Sequence, residues 1–180
     1  MQKYRCFRNV AEKWRDKTNS LTIVVPGEPT SKARPRFART QKGVRTYTPT
    51  RTLKYEELVR YYALTERQKL GIKPISEPLK LQIKAYFSIP KSYSKKRKEI
   101  CLAGDVRPTK KPDGDNVAKI VLDGLNPKMK VDRRLHRAVC LHEGLYLDDK
   151  QVVDLIVEKW YAEEPRVEIK AMWDDDGKEQ

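Results

Sequence analysis

The stretch that decides the fold class runs from residue 79 to residue 88 and reads LKLQIKAYFS. Apolar residues occupy every odd position from Leu79 to Phe87, while more polar residues occupy the even positions. Because successive side chains of an extended strand point to opposite faces, this period of two predicts a strand with one face buried. The protein is therefore expected to contain a sheet with one apolar face.

Three further segments carry strand patterns on either side of this one. Leu21–Val25 is a short β-branched run that ends at the turn former Pro26-Gly27. Near the other end of the chain, Val152–Tyr161 and Val167–Trp173 are rich in strand-forming residues, with a turn between them.

Helical spacing appears in three places between these strands. A helix is predicted from a Thr50 or Thr52 cap to about Leu70, ending at Gly71, and a second from about Val117 to Leu125. A short, very basic helix is predicted from Ser94 to Leu102. Helices and strands interleave without strict βαβ order, so we expect a compact α+β domain with a small mixed sheet packed by helices.

Other segments lack these patterns. Residues 1–20 are predicted to be an N-terminal extension, residues 21–173 the domain, and residues 174–180 a frayed acidic tail. Residues 26–49 are predicted to form a basic loop or loose hairpin, and residues 128–144 an irregular basic segment.

The charge of the chain points to a polyanionic partner. Lys and Arg number 39 against 25 Asp and Glu, a formal net charge of +14, and such an excess favours binding to nucleic acid. A basic protein with no nucleic-acid role is the alternative. No apolar run approaches the length of a membrane span or a signal peptide, which predicts a cytoplasmic protein without membrane contact. Three widely spaced cysteines fit neither a disulfide framework nor a zinc site.

The candidate metal-binding residues are acidic and lie in two separate segments of the chain. Asp113 and Asp115 are two residues apart directly before a predicted helix, so their carboxylates could converge on one Mg²⁺ ion if the backbone there is extended. Asp115 is expected to cap that helix, and Lys119 follows four residues later on the same helical face. Asp148-Asp149 precedes the strand that begins near Val152, and a carboxylate from this separate segment is what a metal-dependent nuclease needs.

Each of these patterns also has an ordinary structural interpretation. Asp-Gly-Asp is often a solvated turn, and a helix cap alone would explain Asp115. Asp148-Asp149 could be a loop before a strand. An EF-hand calcium loop is excluded, because its Glu at the twelfth position is absent.

Taken together, the short motifs of this chain resemble those of the RusA family of Holliday junction resolvases. They are KPDGDN at 111–116, Lys119, DGLN at 123–126, DDKQVV at 148–153, PGEP at 26–29 and EPRV at 164–167. The resemblance covers about residues 20–172 in order, and the linked set is specific where its single parts are not.

The resemblance implies a small homodimeric endonuclease of the kind often encoded by phages and prophages. Such enzymes use Mg²⁺, which Mn²⁺ could replace, and no organic cofactor, to make paired nicks in a four-way DNA junction, leaving 5′-phosphate and 3′-hydroxyl ends. By similarity, Asp113, Asp115 and Asp149 would bind the metal and Lys119 would be the essential lysine. Asp148 is the weaker candidate of its pair.

Basic residues near these motifs are expected to grip backbone phosphates, namely Lys32, Arg34, Arg36, Lys110 and Lys111. One departure from the family is a basic insertion at about 127–147, where the family has only a few residues; it could touch DNA or merely extend a loop. Two alternatives stay open: a nuclease acting on flaps or forks, and a basic DNA-binding protein without catalysis.

Overall fold

The computed structural model describes residues 18–41, 43–132, 134 and 136–174. In chain order the elements are β1 (Thr18–Pro26), β2 (Arg36–Thr40), β3 (Gly43–Tyr47), α1 (Thr50–Lys69), β4 (Leu79–Ser88), α2 (Lys95–Ala103), α3 (Gly114–Leu125), β5 (Lys128–Asp132), β6 (Arg137–His142), β7 (Val152–Ala162) and β8 (Arg166–Asp174). A single 3₁₀ turn, Asp149–Gln151, precedes β7.

A four-stranded mixed sheet in the order β1-β8-β4-β7 forms the centre of the molecule. Strand β8 runs antiparallel to both β1 and β4, whereas β7 runs parallel to β4. The predicted α+β class and mixed sheet are therefore confirmed. Strand β7 lies at one edge of the sheet and has a paired neighbour on only one side among the described strands.

The core lies between one face of this sheet and the helices α1 and α3. The alternating strand residues point into it as predicted, and Leu81, Ile83 and Ile169 have no exposed surface. Each fully buried side chain of this kind stabilises the fold by roughly 1.5–3 kcal/mol relative to an exposed one. The opposite face of the sheet is polar and carries residues such as Gln82 and Lys170.

Helix α1 matches the predicted span, but it begins differently. Pro49 occupies the N-cap position and no side chain caps the helix, so the predicted threonine cap is wrong. Proline has no side-chain group that can accept a hydrogen bond, and with a φ of −56° and a ψ of 139° Pro49 lies just outside the helix. At the other end, the chain leaves the helix through Gly71, whose φ of 65° favours glycine.

Helices α1 and α3 cross in close contact because residue 124 has no side chain. A Cβ added at Gly124 would lie 2.7 Å from the Cβ of Val59 on α1. Arg60 of α1 reaches the end of α3, where its guanidinium donates to the backbone oxygens of Asp123 (3.1 Å) and Asn126 (3.3 Å). These bonds satisfy carbonyl groups that have no partner within the helix.

Two hairpins extend from this core. Strands β2 and β3 form an antiparallel pair where a basic loop or loose hairpin was predicted. Strands β5 and β6 form a second pair, so the expectation of an irregular segment over 128–144 is wrong. Met129 and Val131 alternate with polar residues in β5, but both side chains are exposed, so this short alternation does not mark a strand that faces the core.

Strand β1 begins at Thr18, so the last residues of the predicted N-terminal extension belong to the sheet. Asp174, assigned to the acidic tail, is the last residue of β8. Residues 1–17 and 175–180 lie outside the described residues. Among the helices that are described, none has the length and apolar character needed to cross a membrane.

Candidate active site

The first part of the site is the N-terminus of α3. Asp113 occupies the N-cap position and Asp115 lies in the first turn, so the predicted cap at Asp115 and the extended backbone through both residues are wrong. Gly114 already belongs to the helix. Both carboxylates are exposed, and both lie at the positive end of the helix dipole, which stabilises negative charge. Neither side chain caps the helix, so both remain available to a ligand.

Lys119 lies one turn further along α3, on the same face as Asp115. Its side chain is exposed. No hydrogen bond or ion pair within the described part of the chain engages its ammonium group, since the ion pairs there involve other lysines. A lysine in this state can neutralise an incoming phosphate without first breaking an existing interaction.

The second part of the site is the turn that carries Asp148 and Asp149. The side chain of Asp148 accepts a hydrogen bond from the backbone N–H of Lys150 (3.0 Å), which holds the pKa of that carboxyl below its usual value. Gln151 completes a capping box with Asp148. Asp148 therefore has a structural role, and Asp149 is the more exposed member of the pair.

Gln151 anchors this turn to the rest of the fold. Its amide oxygen accepts from the backbone N–H groups of Leu147 (3.0 Å) and Asp148 (2.9 Å). Its amide nitrogen donates to the backbone oxygens of Ile75 (3.1 Å) and Glu77 (3.2 Å). The Asp148–Gln151 spacing matches a capping-box pattern, which is the signal in the sequence that indicates this anchored turn.

Tyr146 connects the two parts of the site. Its side chain is fully buried, and its hydroxyl donates to the backbone oxygen of Leu122 on α3 (3.1 Å). Burial raises the pKa of Tyr146, and the negative charges of Asp149, Asp123 and Asp148 raise it further. These three carboxylates thus lie within electrostatic reach of one hydroxyl at the junction between α3 and the turn.

The carboxylates predicted to share a metal ion lie on packed elements, but they do not converge on one point. Over residues 18–41, 43–132, 134 and 136–174, no group of three or more His, Cys, Asp or Glu side chains is close enough to hold a metal ion. The donor chemistry nevertheless fits Mg²⁺, because Mg²⁺ commonly binds through one or two carboxylates and keeps several waters or substrate phosphate oxygens. Asp113 and Asp115 offer two such exposed oxygen donors.

Lys32 has a different place from the one predicted. Its ammonium forms ion pairs with Glu56 of α1 (2.5 Å) and Asp123 of α3 (2.6 Å), and its backbone N–H donates to the carbonyl of Asn116 (3.1 Å). Burial alone would lower the pKa of Lys32, but the hydrogen bonds to the two carboxylates outweigh it and the pKa is raised. Lys32 thus joins the segment after β1 to both helices, and the structure does not support its predicted role in gripping phosphate.

The other predicted phosphate-binding residues lie at the surface. Arg34, Arg36, Lys110 and Lys111 are exposed, and Arg36 and Lys111 line one cavity together with Arg51, which the sequence analysis did not single out. Exposed cations that take part in none of the ion pairs among the described residues form the surface expected for contact with a DNA backbone.

Comparison with known proteins now adds the decisive observation. Residues 26–134 and 138–172 match the profile of the family described as Endodeoxyribonuclease RusA. The chain belongs to the RusA family. It is an endodeoxyribonuclease, a hydrolase that acts on DNA, and the sequence-based assignment to this family is confirmed. RusA family members act on branched DNA junctions, and as a group they depend on divalent metal ions.

A curated relative is similar to this chain over nearly the whole domain. The chain is 37% identical over 151 residues to "Uncharacterized protein YqaN" of Bacillus subtilis (strain 168), covering 83% of this chain and 93% of the relative. The break in the RusA family match, between residues 134 and 138, falls at the turn between β5 and β6. The tip of that hairpin is thus the internal point at which this chain departs from the family profile.

Proposed function

We propose that this RusA family member resolves four-way DNA junctions by making paired nicks, with Mg²⁺ bound through Asp113 and Asp115 and with Asp149 contributing from the adjacent turn. The observation that carries the proposal is the set of exposed, uncommitted groups at the start of α3: two carboxylates with the unpaired Lys119 one turn away on the same face. Within the described part of the chain, none of these three side chains takes part in an ion pair.

The residues of this chain have separate tasks in such a reaction. When bound, a divalent cation would lower the pKa of a water molecule and stabilise charge on the phosphate. Lys119 neutralises charge on the phosphate that is cut. Because its ammonium group is already in place, the site does not have to reorganise as that charge develops. Tyr146 holds the segment before the Asp148-Asp149 turn against α3, and Gln151 holds the turn against the segment before β4. Together these bonds fix Asp149 relative to the carboxylates of the helix.

The proposal is tested by cleavage of an end-labelled four-way junction in Mg²⁺, beside linear duplex, flap and fork substrates of the same sequence. We expect cuts at symmetric positions in two opposing strands of the junction, none in the duplex, loss of cleavage in EDTA and recovery in Mn²⁺. Equal rates on flaps and forks would indicate a nuclease of broader structure selectivity. Binding without cutting in either metal would instead establish a non-catalytic DNA-binding protein.

Paired nicks require two active sites, and we propose that a homodimer supplies them through the free edge of β7. Two-fold symmetry would give one site for each of the two strands to be cut. The first residues of this edge strand expose apolar side chains: Val153 is 61% exposed and Leu155 is 40% exposed. An exposed apolar edge strand is a ready surface for pairing with another chain.

Val153→Asp should therefore weaken the dimer. We expect the monomer–dimer dissociation constant from analytical ultracentrifugation to rise at least about 10-fold, because an unpaired charge is costly at a buried interface. Val44→Asp on the β2–β3 hairpin is the matched control, since Val44 is 67% exposed and lies in a two-stranded sheet separate from the one that contains β7. A wild-type protein that sediments only as a monomer, with and without junction DNA, would rule out the dimer.

A further inference from the structure

A cavity of about 420 Å³ lies between the β2–β3 hairpin, the start of α1 and the segment that leads into α3. The polar residues in its wall are three cations and three hydroxyl-bearing residues: Arg36, Arg51, Lys111, Thr30, Ser31 and Thr52. We propose that this cavity binds one phosphodiester of the DNA strand, next to the one that is cut. The inference rests on the proposed function and adds to it a site that fixes where along the strand the cut falls.

The charge of the cavity favours an anion. No Asp or Glu lines it, and in the described part of the chain Arg36, Arg51 and Lys111 take part in none of the ion pairs. Three cations that converge on one space without a counter-charge repel one another, and a bound phosphate relieves that repulsion. The hydroxyl of Thr30 already donates to the backbone oxygen of Glu28 (3.3 Å), which leaves the hydroxyl of Ser31 as a candidate donor to a phosphate oxygen.

The start of α1 strengthens this preference. Its first turn contains no acidic residue and no side chain caps it, so neither a carboxylate nor a cap occupies the positive end of the helix. Arg51 and Thr52 lie in that turn and also line the cavity. The helix end, the arginine and the hydroxyl therefore act on the same space.

Chain connectivity indicates which phosphate would bind. Lys111 and Pro112 line the cavity, and Asp113 follows them directly at the start of α3. A strand whose scissile phosphate lies at Asp113 and Asp115 would therefore place a neighbouring phosphate beside Lys111. We assign the cavity to the backbone of that same strand and not to a free anion.

Arg51→Gln should lower the affinity for a four-way junction about 10-fold in EDTA, where no cleavage occurs. The dependence of log K on log salt concentration should flatten by about one unit, the change expected for the loss of one phosphate contact. Lys170→Gln is the matched control, because it removes the same charge from the opposite face of the sheet. An unchanged affinity and an unchanged salt slope for Arg51→Gln would overturn the assignment.

A methylphosphonate scan of the cleaved strand identifies the phosphate, and its wild-type arm does not depend on the folding of any variant. In wild-type protein, one neutral linkage beside the cut should cost about 10-fold in affinity. Arg51→Gln should lose nothing further at that linkage, while its losses at other linkages remain additive. Additive losses at every linkage would overturn the inference even if the wild-type protein cuts the junction, whereas a wild-type protein that binds no junction would overturn the proposed function as well.

Calorimetric titration with inorganic phosphate tests whether the cavity binds a phosphate of the DNA backbone or a free phosphate ion. We expect no measurable binding of free phosphate at low millimolar concentration. Tight binding that Arg51→Gln abolishes, with unchanged affinity for the junction, would assign the cavity to a free anion and overturn the proposal.

Discussion

Asp113→Asn should lower the rate of junction cleavage by more than about 100-fold while leaving junction binding unchanged or slightly tighter. Loss of groups that merely orient metal ligands costs 10–100-fold, so loss of a ligand itself should cost more. Binding should not suffer, because the substitution removes a negative charge from a surface that faces phosphates. Stability should change little, since the Asp113 side chain is exposed and makes no capping hydrogen bond.

Asp105→Asn provides the matched control for this experiment. Asp105 is also exposed and lies in the loop before α3, but it carries no proposed role. Single-turnover cleavage and gel-shift affinity, measured on the same junction, separate chemistry from binding. If Asp113→Asn cleaves at the wild-type rate, the carboxylates of α3 are not the metal site and the proposed mechanism is wrong.

The parts of the fold that could be predicted from the sequence are those with a strong period. The alternation from Leu79 to Phe87 and the helical spacing around Val117–Leu125 each place an apolar face toward the core, and both elements have the predicted type. Burial of these faces dominates the local free energy, so the local pattern and the tertiary structure agree. The family motifs were identified by their residues and their order along the chain, which does not depend on the prediction of these elements.

The predictions were wrong where the start of a helix depends on which of several nearby polar residues serves as its cap. The helix at 114–125 could begin with either Asp113 or Asp115 as the cap, because aspartate is a favoured N-cap residue and the sequence allows either position. The structure selects Asp113 and thereby brings Asp115 into the first turn. Element boundaries of this kind depend on packing of the whole helix against the sheet, and no local sequence signal encodes that packing.

The role of Lys32 was mispredicted for a related reason. A lysine in a basic loop looks free, and only the tertiary fold brings Glu56 and Asp123, which are distant in sequence, to its ammonium group. Arg51 was missed for the converse reason, since an arginine in the first turn of a helix looks like a solvated surface residue. Its neighbours in the cavity come from two other segments of the chain.

Gly144→Ala should reduce the free energy of unfolding by about 3 kcal/mol and lower Tm by about 6–12 °C. A Cβ at this position would lie 2.5 Å from the backbone oxygen of Leu125, 2.7 Å from the nitrogen of Pro127 and 2.8 Å from the backbone oxygen of Tyr146. All three are backbone atoms, so no change of rotamer can relieve the overlap. The chain around Gly144 would have to move away from the end of α3, which strains the hydrogen bond from Leu145 N–H to the Leu125 oxygen (2.8 Å).

This displacement should also reach the active site, because the residues after Gly144 carry the turn of Asp149. Tyr146 is held to Leu122 of α3 by its hydroxyl, so a shift between the two segments alters the position of Asp149 relative to Asp113. Gly114→Ala is the matched control for stability: its added Cβ would meet only Val157 Cγ1 at 3.8 Å, and alanine is the better residue in a helix. Thermal unfolding followed by circular dichroism measures both variants. A Tm for Gly144→Ala within about 2 °C of wild type would correspond to less than about 1 kcal/mol and would show that the close packing between the end of α3 and the Asp149 segment is not rigid.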